Sequence, residues 1–96
     1  MTAITRSSIV VASRDQVASD LGGETVLLGL RTARYYGLAD VGARIWELVR
    51  EPISVSAISE TIAREYEVSL ERCEADVLRF LDELAEQELI EVRGGP

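Results

Sequence analysis

The sequence predicts an α+β domain in which three β-strands precede three α-helices. Up to residue 38 the apolar residues stand in short runs separated by turn residues, which is typical of strands. After residue 39 they recur every three or four positions, which is the spacing of one helical face. We therefore expect the helices to cover one face of a small antiparallel sheet.

Three segments predict the strands. Residues 9–12 are short and β-branched, and residues 25–30 form an apolar run in which Gly29 indicates a bulge or a close approach. Residues 34–38 are rich in aromatic side chains, which favour strands. Turn residues at 21–24 and a hairpin connection at 31–33 separate these segments, so a single three-stranded sheet is expected.

Capping residues mark the starts of the three helices. Asp40, Ser54 and Ser69 each precede a run with helical spacing, and each can accept the free N–H groups of a first turn. Pro52 ends the first helix, because the residue before a proline is disfavoured in helical geometry. The third helix is expected to span about 18 residues, or about 27 Å. Residues 89–92 are expected to form a short terminal strand or a tail.

The predicted organisation is one domain over residues 9–92, with a flexible N-terminus at 1–8 and a flexible tail at 93–96. With 96 residues, the chain can bury only a modest core. The longest apolar runs have about four residues, too few for a membrane span or for the hydrophobic part of a signal peptide. We therefore expect a cytoplasmic protein with no membrane partner.

The composition argues against catalysis and against a metal site. The chain has no histidine, and Cys73 is its one cysteine. A nucleophile paired with histidine is therefore excluded, as are the usual zinc and iron–sulfur ligand sets. Cys73 lies on the apolar face of the third helix, which predicts a buried thiol. We expect a protein that is not an enzyme, with no catalytic residue, no metal and no cofactor.

The charge distribution argues against nucleic acid. The net charge is −7, and residues 69–88 contain two arginines against seven acidic residues. Three helices with small strands can form a winged helix-turn-helix, which is a DNA-binding class. An acidic third helix would repel the phosphate backbone, however, so a DNA-binding regulator is the less favoured hypothesis.

The aromatic strand at residues 34–38 is a candidate binding edge. At the edge of a sheet, its unpaired N–H and C=O groups could pair with an extended peptide. The two-residue period places Arg34, Tyr36 and Leu38 on one face, with Tyr35 and Gly37 on the other. Two alternatives stay open: both tyrosines pack in a core with the edge covered, or the edge docks permanently on a larger enzyme.

Three segments of the sequence resemble the PqqD-like family. They are TVLLGLRTARYYGLADVGARIWELV, ISVSAISETIAREYEV and CEADVLRFLDELAEQELIEV, and the resemblance covers about residues 10–92. Two positions depart from the family pattern, since Glu88 stands where glycine is common and Ala39 where asparagine is frequent. Because glycine suits a left-handed helix end, we expect the third helix to end differently in this chain.

The resemblance implies a winged-helix-like fold that recognises a peptide. Proteins of this kind, called RiPP recognition elements, bind the leader peptide of a ribosomally synthesised precursor and present it to modifying enzymes. The sequence looks most like the lasso-peptide branch, where a small stand-alone protein called B1 partners a separate leader peptidase and a cyclase. The alternative is the PqqD type, which serves a radical-SAM enzyme as a peptide chaperone.

The resemblance also implies where the leader binds, as a strand added beside residues 34–38 in a groove against the third helix. The predicted site consists of Arg34, Tyr35, Tyr36, Gly37, Leu38, Asp76, Val77, Phe80, Leu81, Glu83 and Leu84. The tyrosines are expected to flank the groove or form its floor, and the apolar helix residues to form a wall, although some must face the sheet. Asp76 and Glu83 on the rim can pair with a basic leader residue, and Arg34 with an acidic one.

Overall fold

The computed structural model describes residues 4–93 and confirms the α+β class and the three helices. The strands are β1 (Ile9–Ala12), β2 (Gln16–Leu21), β3 (Glu24–Gly29), β4 (Arg34–Ala39), β5 (Ile53–Ser54) and β6 (Ile90–Arg93). The helices are α1 (Val41–Leu48), α2 (Val55–Tyr66) and α3 (Leu70–Glu86). The short C-terminal strand expected from the sequence is present as β6.

The strands form two antiparallel sheets, which corrects the single sheet predicted from the sequence. β1 lies between β5 and β6, whereas the second sheet has the order β2-β3-β4. The prediction missed β2 because its residues include Ser19 and Asp20 and are mostly exposed, so no apolar run marks the strand. It missed β5 because that strand has only two residues. Residues 9–12 therefore belong to a different sheet from β3 and β4.

The sheet β2-β3-β4 leaves β4 at an edge. Gly22 and Gly23 form the two-residue turn between β2 and β3, and their φ angles of 59° and 94° suit glycine. β4 pairs with β3 along its whole length, from Gly29 opposite Arg34 to Glu24 opposite Ala39. Among residues 4–93 no strand pairs with the other edge of β4, so its outward N–H and C=O groups have no partner in a sheet.

The core lies where the three helices pack against both sheets. Trp46 of α1, Ile58 of α2, Leu81 of α3, Leu27 of β3 and Val10 of β1 are each at most 1% exposed. Both sheets and all three helices thus contribute to one core. Because short helices are marginal in isolation, this packing stabilises the eight-residue α1.

Two of the three predicted helix caps are confirmed. The Ser54 and Ser69 hydroxyls accept hydrogen bonds from the N–H groups of Ala57 at 3.1 Å and Arg72 at 3.4 Å. The prediction for Asp40 is wrong, because its side chain makes no capping hydrogen bond. Its backbone has φ 51° and ψ −120°, outside the extended region from which a cap side chain reaches the first turn.

The N-terminal residues that the structure describes pack against the start of α2. The carbonyl oxygens of Arg6 and Ser8 accept hydrogen bonds from the N–H groups of Ser56 at 2.9 Å and Val55 at 3.0 Å. Residues 1–3 and 94–96 lie outside the described residues. The flexibility expected at 1–8 and 93–96, and the domain bounds 9–92, therefore stay predictions.

The expectation that α3 ends differently in this chain, because Glu88 stands where glycine is common, is wrong. Glu88 has a φ of 60°, so the helix ends in a left-handed residue although no glycine is present. The Leu89 N–H donates to the Leu84 carbonyl at 2.9 Å, and the Glu88 N–H donates to the Ala85 carbonyl at 3.0 Å. These bonds satisfy carbonyls of the last turn, so α3 keeps the end that glycine would suit.

Replacing Glu88 with glycine is expected to raise the free energy of unfolding by about 0.5–1 kcal/mol, because glycine adopts a positive φ without steric cost. The variant also loses an ion pair with Arg31 at 3.4 Å, but that pair is exposed and contributes little. Urea unfolding would measure the change. Glu88→Ala removes the same carboxylate but keeps a Cβ atom, so it should show no gain. Equal stability of the two variants would contradict the explanation.

Candidate functional site

A groove of about 630 Å³ lies between β4 and α3. The residues that line it are Tyr35, Tyr36, Gly37 and Leu38 from β4, and Phe80, Glu83, Leu84, Glu86, Gln87 and Leu89 from α3 and the residues after it. The helical residues among them recur at intervals of three and four, which places them on one face of α3. Seven of the eleven predicted site residues meet here: Tyr35, Tyr36, Gly37, Leu38, Phe80, Glu83 and Leu84.

The other four predicted residues lie outside the groove. Leu81 is fully buried in the core. Val77 and Asp76 line a separate cavity, and Arg34 is an exposed residue at the start of β4. Asp76 also forms an ion pair with Arg79 on the same helix at 3.1 Å. The Asp76 carboxylate, which was predicted on the rim of the groove, therefore lies outside it and already has a basic partner.

Three residues that line the groove were not among the predicted site residues: Glu86, Gln87 and Leu89. The Tyr36 hydroxyl donates a hydrogen bond to the Oε1 atom of Gln87 at 2.5 Å, which joins β4 to the end of α3. Gln87 follows Phe80 by seven residues, or about two turns, so helical spacing could have identified it. Leu89 follows the left-handed Glu88, so helical spacing no longer applies to it.

The alternation predicted for β4 is confirmed. Tyr36 stands opposite Leu27, and Leu38 stands opposite Thr25, and both of these β3 residues are buried. Tyr36 and Leu38 therefore face the interior side of the sheet. Tyr35 faces the other way and is 72% exposed, which excludes the hypothesis that both tyrosines are core residues.

A second cavity, of about 510 Å³, lies among α1, α2 and α3. Phe80 lines both this cavity and the groove, so the two spaces adjoin. The buried Cys73 also lines the cavity. Burial, with a smaller contribution from the carboxylates of Asp76 and Glu74, raises the pKa of its thiol. The thiol is therefore protonated near neutral pH and is a poor nucleophile.

The groove is acidic where it is charged. Its charged lining residues are Glu83 and Glu86, and no arginine lines it among the described residues. Such a surface repels phosphate, which argues against nucleic acid as the ligand. In residues 4–93 no group of three or more potential ligand side chains could hold a metal ion. Across the same residues, no helix combines the length and the apolar character needed to cross a bilayer.

Comparison with known sequences identifies one family. The sequence profile described as coenzyme PQQ synthesis protein D (PqqD) matches residues 24–90. The match begins at β3 and ends in β6, so it includes both walls of the groove. No curated protein matches the chain in sequence.

Solved structures that are similar to the chain include the following three. TbiB1 in complex with the TbiA(beta) leader peptide is 40% identical, with a TM-score of 0.79 over 84% of this chain and 94% of that one. The PqqD part of Methylobacterium extorquens PqqCD, a stand-alone RiPP recognition element, is 26% identical, with a TM-score of 0.76 over 94% and 96%. A lasso peptide synthetase B1 complexed with its leader peptide is 22% identical and shares the fold, with a TM-score of 0.76 over 85% and 96%.

Proposed function

We propose that this chain, which belongs to the PqqD family, binds the leader peptide of a ribosomally synthesised precursor by strand addition along β4. The observation that carries the proposal is the unpaired edge of β4 beside the groove between β4 and α3. The complex of TbiB1 with a leader peptide supports it, because that protein is 40% identical to this chain.

The groove supplies both parts of this mode of binding. Backbone groups of β4 can form main-chain hydrogen bonds that are independent of the peptide's sequence, and alternate peptide side chains can enter the groove. There they would meet Tyr36, Leu38, Phe80 and Leu84. A leucine or valine side chain that becomes fully buried contributes about 1.5–3 kcal/mol, so apolar residues of the leader would supply most of the affinity.

The polar residues at the rim would then act on specificity. Glu83 has no ion pair among the described residues and can meet a basic side chain of the leader. Arg34, which is exposed at the start of β4, can meet an acidic side chain. Both side chains lie where solvent screens them, so such pairs would change the association rate and partner choice more than the affinity.

We further propose that the chain delivers the leader to a separate leader peptidase and a cyclase in a cytoplasmic lasso-peptide pathway. The identity of 40% to TbiB1, against 26% to the PqqD part of PqqCD, favours this role over service to a radical-SAM enzyme. The chain itself would supply recognition and no catalytic group. Omitting the chain from a mixture of precursor and leader peptidase should strongly slow leader removal, and an unchanged rate would contradict delivery.

Strand addition predicts a two-residue period in a scan of N-methylated peptides. The probe is the TbiA(beta) leader peptide, made with one N-methyl group at each position in turn. Every second N–H of an added strand donates to its neighbour strand, so methylation there should weaken binding at least tenfold. Methylation at the positions between should have little effect. Titration calorimetry against the full chain would measure the series.

The pattern of the scan separates the possible modes of binding. Losses that recur every three or four residues would indicate a helical peptide in the groove and would contradict strand addition. No binding, either by this peptide or by any precursor peptide found to be encoded near the chain's own gene, would contradict the proposed function as a whole. The matched control is a second series of unmethylated peptides, each with alanine at one position. This series measures the loss of side-chain contacts separately from the loss of main-chain hydrogen bonds.

A further inference from the structure

The hydrogen bond between Tyr36 and Gln87 fixes the orientation of the Gln87 amide. The Tyr36 hydroxyl donates to the Oε1 atom of Gln87 at 2.5 Å. Because the oxygen and the nitrogen form the two ends of the amide, this bond turns the two N–H groups of Nε2 away from Tyr36. In the part of the chain that the structure describes, no atom accepts a hydrogen bond from Nε2. Gln87 therefore holds two free donors in a fixed direction.

These donors lie where a bound peptide would cover them. Gln87 lines the groove and is half-buried. Leu84, almost one helical turn before it, also lines the groove and is buried. A peptide in the groove would remove water from the Nε2 group, and a buried donor without an acceptor costs free energy. A peptide that supplies an acceptor at this point should therefore bind more tightly than one that does not.

One residue of an added strand would lie next to this amide. Tyr36 faces the interior side of the sheet and reaches Gln87 on α3. Residues that stand opposite each other on neighbouring strands carry their side chains on the same face, with Cβ atoms about 4.5–5.5 Å apart. The peptide residue opposite Tyr36 would thus direct its side chain toward α3 beside the Tyr36 ring, where Gln87 is the polar group that it meets.

The charges around Gln87 determine which kind of acceptor fits. Glu83 and Glu86 line the groove, and within residues 4–93 neither of them forms an ion pair. Both carboxylates would repel a carboxylate of the peptide, whereas a neutral oxygen meets no such repulsion. Arg34, which could attract a carboxylate, does not line the groove. An amide or hydroxyl oxygen is therefore favoured over the carboxylate of an acidic residue.

We infer that Gln87 is a specificity-determining residue, which selects a leader peptide with an amide or hydroxyl side chain opposite Tyr36. Tyr36 is the positioning residue of this contact, because its hydroxyl turns the Nε2 group of Gln87 toward the peptide. The inference rests on the proposed function. Main-chain pairing with β4 is independent of the peptide's sequence, and this contact would add a dependence on one side chain.

Three substitutions of similar size in the peptide test the selection. The probe is the TbiA(beta) leader peptide, with each position replaced in turn by asparagine, aspartate or leucine. Of these three side chains, only asparagine offers a neutral acceptor. At one position, the preference for asparagine over leucine should be about fivefold or more larger for the wild type than for Gln87→Met, which has a similar size but no donor. Aspartate at that position should bind the wild type more weakly than asparagine. Titration calorimetry against the full chain would measure the series.

Two further variants test the role of Tyr36 and the effect of the substitution itself. Tyr36→Phe removes only the hydroxyl, so the Gln87 amide can turn, and the preference for asparagine should fall although the aromatic ring remains. Arg79→Met is the matched control, because Arg79 is an exposed residue of α3 that does not line the groove. This variant should keep the preference of the wild type.

The outcomes separate this inference from the proposed function. If peptides bind but Gln87→Met shows the same preferences as the wild type at every position, or weakens all peptides alike, the inference alone is overturned. If no peptide of the series binds the wild type, the proposed function fails. A preference that Tyr36→Phe leaves unchanged would contradict the positioning role of Tyr36. If circular dichroism shows that Gln87→Met is not folded, the comparison of the wild type with Tyr36→Phe decides the question.

Discussion

Replacing Phe80 with alanine is expected to weaken leader-peptide binding by about 1–3 kcal/mol, which is about 5- to 150-fold in the dissociation constant. Phe80 lines the groove from α3, so its ring is a wall that a strand added beside β4 would contact. The side chain is only partly buried in the free chain, and the domain should therefore stay folded without it.

Titration calorimetry with the TbiA(beta) leader peptide would measure the loss. Asp82→Ala is the matched control, because Asp82 is an exposed residue of α3 that lines neither the groove nor the second cavity, and its affinity should match the wild type. Circular dichroism should show that both variants are folded. If the folded Phe80→Ala variant binds with unchanged affinity, the groove between β4 and α3 is not the peptide site.

Local patterns predicted the elements of this fold better than their assembly. The change from short apolar runs to helical spacing near residue 39 identified β3, β4 and all three helices. The pairing of Val10 with Val92 joins residues from opposite ends of the chain, and no local pattern reports such a contact. That pairing takes β1 away from β3 and β4, which is why one predicted sheet became two.

The same limit explains which of the predicted site residues line the groove and which do not. The residues of β4 could be identified because a two-residue period alone assigns Tyr35 and Tyr36 to opposite faces. On α3, the spacing shows which side chains are apolar but not which neighbour they contact. Phe80 and Leu81 are adjacent and both apolar, and only the way α3 lies across the sheet directs one to the groove and the other to the core.

That difference predicts a second large effect. Leu81→Ala is expected to lower the free energy of unfolding by about 2–5 kcal/mol, because a fully buried leucine leaves a cavity when it is truncated. A domain of this size has a total stability of roughly 5–14 kcal/mol, so the loss would be a large share of it. Urea unfolding would measure the change. Leu78→Ala, at a partly buried position on the same helix, should cost less.

The two alanine variants should therefore fail in different ways. Phe80→Ala should lose affinity with a small change in stability, whereas Leu81→Ala should lose stability and bind normally at temperatures where it is folded. Excess peptide should also raise the melting temperature of Leu81→Ala, because a ligand that binds only the folded state stabilises it by mass action. If Leu81→Ala instead keeps its stability and loses affinity, Leu81 faces the peptide, and the packing of α3 described above is incorrect.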